Sequence, residues 1–236
     1  KLLDEQNSVT VAEIKEKLKI SESTIRRDLN ALDRAGKLNK VFGGAVAIEA
    51  GITTAEPSVA QKKGVNKEEK QLIARYAAAL ITQDDFVYLD AGTTTGCMID
   101  FITEKSATYV TNAVSHAQKL AAAGFRVYLI GGELKPTTEA VVGNQAILSL
   151  ETLHFSKAFF GTNGVSLKAG FSTPDYEEAM VKKTAIGQAK KAYILADYSK
   201  FGNISSVTFE EFAKAQIITD RKPPEAFLRS KNITVA

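Results

Sequence analysis

At 236 residues, with 44% hydrophobic and 24% charged side chains, the chain has room for a small and a medium domain, each with its own packed core. A formal net charge of +3 argues little about partners, because the informative quantity is where the charge sits. No apolar run reaches the length of a membrane span, no secretory pattern opens the chain, and two histidines with one cysteine (Cys97) offer neither a disulfide nor a metal cluster. The expectation is a cytoplasmic protein without metal or cofactor.

Lys1–Gln6 reads as the tail of a helix, so the natural chain is expected to begin upstream. Thr10-Val-Ala-Glu13 is a capping box, and Val11, Ile14 and Leu18 follow at helical spacing. After a short turn at Lys19–Ser21, a second helix is predicted from Glu22 to about Ala35, with Ile25, Leu29 and Leu32 inward and Gly36 as its stop. Apolar residues on both sides of Gly43-Gly44, between Leu38 and Ala47, predict two short strands around a tight turn. Residues 1–47 are thus one domain.

Residues 48–65 are poor in large apolar side chains and contain Pro57, which reads as a linker. From Asn66 to the end, residues 66–236, helices alternate with strands. Asn66-Lys-Glu-Glu69 has the form of another capping box, opening a helix with Leu72, Ile73, Tyr76, Ala77 and Leu80 inward. Strands are predicted at 86–89, 108–110, 126–130, 158–160, 192–196, 217–219 and 233–235. The alternation implies an α/β domain built on a mostly parallel sheet with both faces covered.

Two short helices and a Gly-Gly hairpin spell a winged helix-turn-helix. The second helix carries Ser21, Ser23, Thr24, Arg26, Arg27 and Asn30 away from its apolar stripe. Hydroxyls at a helix start suit phosphate oxygens, and arginines fork onto guanine edges or bridge phosphates. Lys37 and Lys40 flank the wing and suit the DNA backbone. The competing reading is a helical hairpin with a solvated basic face.

Ser21-Glu-Ser-Thr24-Ile-Arg-Arg-Asp28-Leu29 resembles the recognition-helix signature of the DeoR family of transcription regulators, and Val41-Phe-Gly-Gly-Ala45 resembles its wing. The family often has His before the two glycines, where this chain has Phe42.

In open α/β sheets, ligands sit beyond the carboxyl ends of the strands. There the chain has Asp90-Ala-Gly-Thr-Thr-Thr95, Thr111-Asn112, Gly131-Gly132, Gly161–Gly164 and Asp197 with Lys200. Gly92 allows close backbone approach, and Thr93, Thr94 and Thr95 bring N–H groups and hydroxyls to an anion. Asp90, Asn112 and Asp175 suit sugar hydroxyls, and Lys200 suits a phosphate. Neither GxxxxGK[ST] nor GxGxxG is present, which disfavours a nucleotide. Thr111, Gly131 and Gly132 complete the candidate effector set, each a weak signal alone.

These segments, with Gly170–Thr173, Asp175 and Glu178-Ala179, recur in the same order in the sensor half of the DeoR family. The resemblance implies a fold related to ribose-5-phosphate isomerase and a phosphorylated sugar as signal. Glu56-Pro57-Ser58 and Asn66–Lys70 resemble most the branch that represses fructose or lactose/tagatose operons in low-GC Gram-positive bacteria. That points to fructose 1-phosphate first, with tagatose 6-phosphate behind it. The expected protein is a repressor of a sugar-utilisation operon, a homodimer or homotetramer on duplex operator DNA, and not an enzyme. The alternative is a sugar-phosphate isomerase or deaminase with an attached DNA-binding head, which would need a carboxylate base positioned near the sugar carbon, with Asp90, Asp175 and Glu178 as the candidates.

Overall fold

The computed structural model describes residues 8–34, 37–41, 43–46 and 52–236. The chain divides into two units, Lys1–Gly51 with Pro224–Arg229, and Ile52–Pro223 with Ser230–Ala236.

In the smaller unit a short strand β1 (Ser8–Thr10) runs into helix α1 (Val11–Leu18). Thr10 Oγ1 accepts from the Glu13 N–H at 3.2 Å, and Glu13 accepts from the Thr10 N–H at 2.7 Å. This is the capping box that the spacing predicts. Lys19 ends the helix in the left-handed region, φ 53°, its N–H donating to the Lys15 carbonyl at 2.9 Å. Helix α2 (Glu22–Arg34) and the hairpin β2 (Asn39–Val41) and β3 (Gly44–Val46) follow. β1 pairs antiparallel with β3, giving the order β1-β3-β2.

The core of this unit is Val9, Val11, Ile14, Ile25, Leu29, Leu38 and Ala45. Leu18 and Leu32, expected inside, are 56% and 44% exposed. Val9, Leu38 and Ala45 of the small sheet and its approach close the core without them. The helix tail at Lys1–Gln6, the stop at Gly36, Phe42 and Ala47 lie outside the described residues.

The larger unit contains α3 (Val59–Lys63), α4 (Lys67–Ala78), β4 (Phe86–Leu89), α5 (Thr93–Met98), β5 (Thr108–Thr111), α6 (Val114–Ala122) and β6 (Arg126–Leu129). It continues with β7 (Glu133–Lys135), β8 (Ala140–Val142), α7 (Asn144–Glu151), β9 (Lys157–Gly161), β10 (Gly164–Ser166), β11 (Gly170–Thr173) and α8 (Tyr176–Gly187). The last strands are β12 (Ala192–Leu195), β13 (Val207–Glu210), β14 (Gln216–Thr219) and β15 (Ile233–Val235). Seven strands form one sheet in the order β15-β14-β12-β9-β4-β5-β6, parallel throughout. They are the seven segments predicted from the sequence.

Val87, Leu89, Tyr109, Phe159, Leu195 and Ile218 pack on one face with Ile73 and Ala77 of α4 and Met98 of α5. Their strand neighbours Tyr88, Val110, Phe160, Ile194 and Ile217 point the other way and are equally buried. Coverage of both faces is what an all-parallel sheet requires. The hairpin β7-β8 and the antiparallel sheet β10-β11-β13 are additions that the alternation did not announce.

Three local expectations are corrected. Residues 52–65 are not a free linker: Thr53 pairs with Ser205, its N–H donates to the Ile204 carbonyl at 3.0 Å, and α3 follows at once. Asn66 does not cap α4, because its side-chain amide donates to Asp197 at 3.1 Å and its backbone is left-handed, φ 50°. On α4, Ile73, Ala74, Ala77 and Ala78 are buried, whereas Leu72 and Tyr76, expected inward, are exposed. The small alanines let the helix lie close to the sheet and turn those two larger side chains outward.

Gly44 sets the small sheet. A Cβ there would come within 2.1 Å of the Val9 carbonyl oxygen. Gly44→Ala is expected to destabilise the smaller unit by about 2 kcal/mol or more. Thermal unfolding checks it, and an unchanged melting temperature for that unit would contradict the close β1–β3 approach.

Candidate functional site

Helix α2 starts on Ser21. Its Oγ accepts from the Thr24 N–H at 3.3 Å and lies 2.9 Å from the hydroxyls of both Ser23 and Thr24. The buried faces of Ile25 and Leu29 turn Arg26, Arg27 and Asn30 to solvent. Arg26 makes a two-bond contact with Glu22 one turn earlier, at 2.7 and 3.0 Å, and holds that carboxyl below its usual range. Both side chains stay half-exposed, and an exposed pair of this kind is weak enough to yield to a phosphate. Arg27 is 80% exposed, with Asp28 at 3.8 Å. Lys40 ties the wing to the helix: its ammonium donates to Asn30 at 2.6 Å and its backbone N–H to Asp33 at 2.8 Å. Lys37 is exposed. The predicted DNA-reading residues therefore sit on α2, its start and the wing approach, and all but the half-buried Thr24 are exposed.

In the larger unit β5 and β6 lie on one side of β4, and β9, β12, β14 and β15 on the other. The strand order reverses between β4 and β9, and ligands of open α/β sheets bind where such a reversal opens a crevice. A cavity of about 690 Å³ lies there, within the range of small-molecule sites. Its wall includes Ala91–Thr94 after β4, Gly161–Asn163 after β9, Glu178 and Lys182 of α8, and Asp197 and Lys200 after β12. Glu56, Gln61, Lys62, Asn66 and Lys70, from 52–65 and the start of α4, complete it.

Of the predicted effector residues, Gly92, Thr93, Thr94 and Lys200 line this cavity. The others are used differently. Asp90 is 1% exposed; it ion-pairs with Lys182 and accepts from the Gly161 N–H at 3.0 Å. Burial pushes its carboxyl up, opposed by the Lys182 ammonium. Asn112 is buried and braces the turn, accepting from the Ala91 N–H at 2.8 Å and donating to the Val141 carbonyl at 3.3 Å. Thr95 donates to the Gly92 carbonyl at 3.0 Å, and Thr111 accepts from the Ala113 N–H at 3.1 Å. Asp175 caps α8 and pairs with Lys135 at 2.7 Å, which holds its carboxyl low against burial. Gly131 and Gly132 follow the edge strand β6 and are exposed; Gly132, φ +145°, lets the chain pass within reach of the Val142 carbonyl.

The sequence reading missed Lys62, Lys70 and Lys182 of the wall. Lys70 is 6% exposed; its ammonium donates to the Lys62 carbonyl at 2.6 Å, and burial, with Lys200 nearby, pulls its pKa down. Lys62 pairs with Glu56, whose other oxygen accepts from Asn163 at 3.4 Å. Glu178 accepts from Thr138 at 2.5 Å and from Lys135 at 3.1 Å. One signal was legible: Glu178 and Lys182 stand four apart on the same helix face as Ala185, a charged pair on a buried stripe. Lys62 lay inside the supposed linker and gave none.

Beside the cavity, His116 is 7% exposed. Its Nε2–H donates to the Gly92 carbonyl at 3.1 Å, which leaves Nδ1 as a buried acceptor with no partner among the described residues. Burial lowers its pKa to about 4. Among the described residues no group of His, Cys, Asp and Glu is arranged to hold a metal ion, and no helix is long and apolar enough to cross a membrane.

Both parts of the chain resemble known proteins. Residues 1–50 match the DeoR-like helix-turn-helix domain, and residues 65–221 match the DeoR C terminal sensor domain. The uncharacterized HTH-type transcriptional regulator FruR of Bacillus subtilis (strain 168) is 43% identical over 218 residues, covering 92% of this chain and 86% of that protein. The lactose phosphotransferase system repressor of Streptococcus mutans is 34% identical over 224 residues, 93% of this chain and 88% of that one. Its counterpart in Staphylococcus epidermidis (strain RP62A) is 37% identical over 230 residues, 95% and 90%. Among solved structures, the sorbitol operon regulator SorC from Klebsiella pneumoniae aligns over 93% of each chain, with TM-score 0.44 and 11% identity. Ribose 5-phosphate isomerase A from Methanocaldococcus jannaschii aligns over 58% of this chain and 55% of that one, with TM-score 0.43 and 14% identity. Both structural likenesses are distant.

A histidine held at about 4 in the fold and near 6.5 when unfolded binds more protons in the unfolded state between those values. Its contribution is full above about pH 6.5 and falls by up to about 3 kcal/mol as the pH drops towards 4. His116→Gln keeps a donor for Gly92 and does not titrate. Melting temperatures from pH 7 to 4.5 should therefore fall less steeply for the variant; equal slopes would contradict a buried, neutral His116.

Proposed function

The chain belongs to the DeoR family of helix-turn-helix regulators, and on that premise we propose that it represses a sugar-utilisation operon and is controlled by a phosphorylated sugar bound at the β4/β9 crevice. One observation carries the effector reading. The crevice gathers the ammonium groups of Lys62, Lys70 and Lys200 beside the Gly92–Thr94 turn, and Lys70 is buried without a carboxylate partner among the described residues. Burying a cation costs free energy unless an anion accompanies it. A phosphate dianion supplies that charge. Glu56, Glu178 and Asn163, on the same wall, are hydrogen-bonding groups of the kind that select sugar hydroxyls.

Fructose 1-phosphate is the leading effector. Similarity to a protein named FruR and to lactose phosphotransferase system repressors supports a sugar ester, and the first of these favours fructose. On the DNA side, Arg26 and Arg27 of α2 read the duplex, Ser21, Ser23 and Thr24 hold phosphates, and Asn30, Lys37 and Lys40 steady the wing against the backbone. Such heads act in symmetric pairs on half-sites, so the working species is a homodimer or a homotetramer. Among the described residues the three carboxylates that the isomerase alternative could recruit are engaged: Asp90 with Lys182, Asp175 with Lys135, and Glu178 with Lys135 and Thr138.

Separate variants test the two halves. Replacing Arg26 and Arg27 with Ala should weaken operator binding at least about tenfold and leave fructose 1-phosphate affinity unchanged. Lys200→Gln should weaken fructose 1-phosphate about 10- to 100-fold and leave operator affinity unchanged. Fluorescence anisotropy on operator DNA and calorimetry with the sugar phosphate read the two affinities. Full operator affinity in the arginine variant would refute the assignment of α2, and full effector affinity in Lys200→Gln would refute that of the crevice.

A further inference from the structure

A second cavity, of about 240 Å³, adjoins the first across a wall made by Gly92, Thr93 and Lys70. The two differ in charge. In the first, Lys62, Lys182 and Lys200 each lie beside a carboxylate. The second is lined by Lys63, Lys67, Lys70 and Lys119 against one carboxylate, Asp100, which is already paired with Lys119 at 2.8 Å. Lys63, Lys67 and Lys70 have no carboxylate partner among the described residues, and His116 in the same wall is neutral above about pH 4. Lys63 and Lys67 are exposed at its mouth and Lys70 is buried in the wall it shares with the first cavity, so the void carries a positive field that favours an anion. The volume falls below the range of whole small-molecule sites yet exceeds the roughly 30 Å³ share of one water several-fold. It suits a phosphoryl group with part of its hydration, not a second sugar.

We propose that this lysine-lined cavity is a second phosphoryl subsite, reached from the first across Lys70 and Thr93, so that the sensor reads two phosphoryl groups. The inference rests on the sugar-phosphate reading of the first cavity and extends it. The second group is either the far phosphate of a bisphosphorylated hexose or a free phosphate bound beside a monophosphate. Both present the same dianion to Lys63 and Lys67.

Calorimetry on the full chain distinguishes them with three probes: fructose 1-phosphate alone, fructose 1-phosphate with inorganic phosphate, and fructose 1,6-bisphosphate. Each is titrated into the wild type and into the double variant Lys63→Gln, Lys67→Gln, whose substitutions keep polar side chains at the cavity mouth. Fructose 1-phosphate should bind both proteins within about twofold. The bisphosphate, or the monophosphate once inorganic phosphate is added, should bind the wild type about tenfold tighter than the monophosphate alone, and the variant should lose that gain. The first gain identifies a bisphosphate, the second a free phosphate. If fructose 1-phosphate binds but neither gain appears, or a gain survives in the variant, the second subsite is overturned while the sugar-phosphate reading stands. If fructose 1-phosphate gives no heat but inorganic phosphate binds the wild type and not the variant, the effector reading fails and the subsite stands. No heat with any probe overturns both.

Discussion

Strands β4 and β9 run side by side and then part at their carboxyl ends, and Asp90 fills the gap between them. Its N–H donates to the Phe159 carbonyl, its carboxylate accepts from the Gly161 N–H, and the same carboxylate holds the ammonium of Lys182. One buried side chain thereby fastens β4, β9 and α8 together. Breaking such a pair from one side leaves an uncompensated buried charge and typically costs about 3–5 kcal/mol. Asn112 and His116 hold the next two residues of the turn, at the Ala91 N–H and the Gly92 carbonyl. Each polar atom of the turn named here is thus engaged within the protein itself.

Charge is distributed around that floor unevenly. Carboxylates accompany most of the lysines of the larger cavity, which suits a ligand of many hydroxyls and one anionic end. Lys70 stands on the wall with its ammonium given only to a backbone carbonyl. Among the charged residues that line the smaller cavity, Asp100 is the one carboxylate, and it pairs with Lys119. A single anionic group would neutralise only the near side of that wall, which is why the chemistry argues for two.

Periodicity gave away the architecture, and burial hid much of the site. Alternating apolar runs located all seven strands of the parallel sheet, because strands buried on both faces have little freedom in composition. The capping box at Thr10 and Glu13 was equally plain. Asn66 misled, since its side chain serves a partner 131 residues away, and no local pattern reports that. Strand ends pointed correctly to the crevice but not to which residues face it: Asp90, Thr95, Thr111 and Asn112 are polar for the sake of the turn, whereas Lys62 and Lys70 come from helices outside the strand-end pattern. The arginines of α2 were legible as candidates because exposed charge off an apolar stripe is visible in sequence.

The central claim is that a sugar phosphate in the β4/β9 crevice changes the grip of the arginine-bearing helix on DNA. Operator affinity measured by anisotropy across a fructose 1-phosphate titration tests it most directly. The account predicts a shift of about 5- to 150-fold, the usual scale of coupling between two sites, saturating as the crevice fills. An operator affinity that stays constant while calorimetry shows the crevice occupied would contradict it.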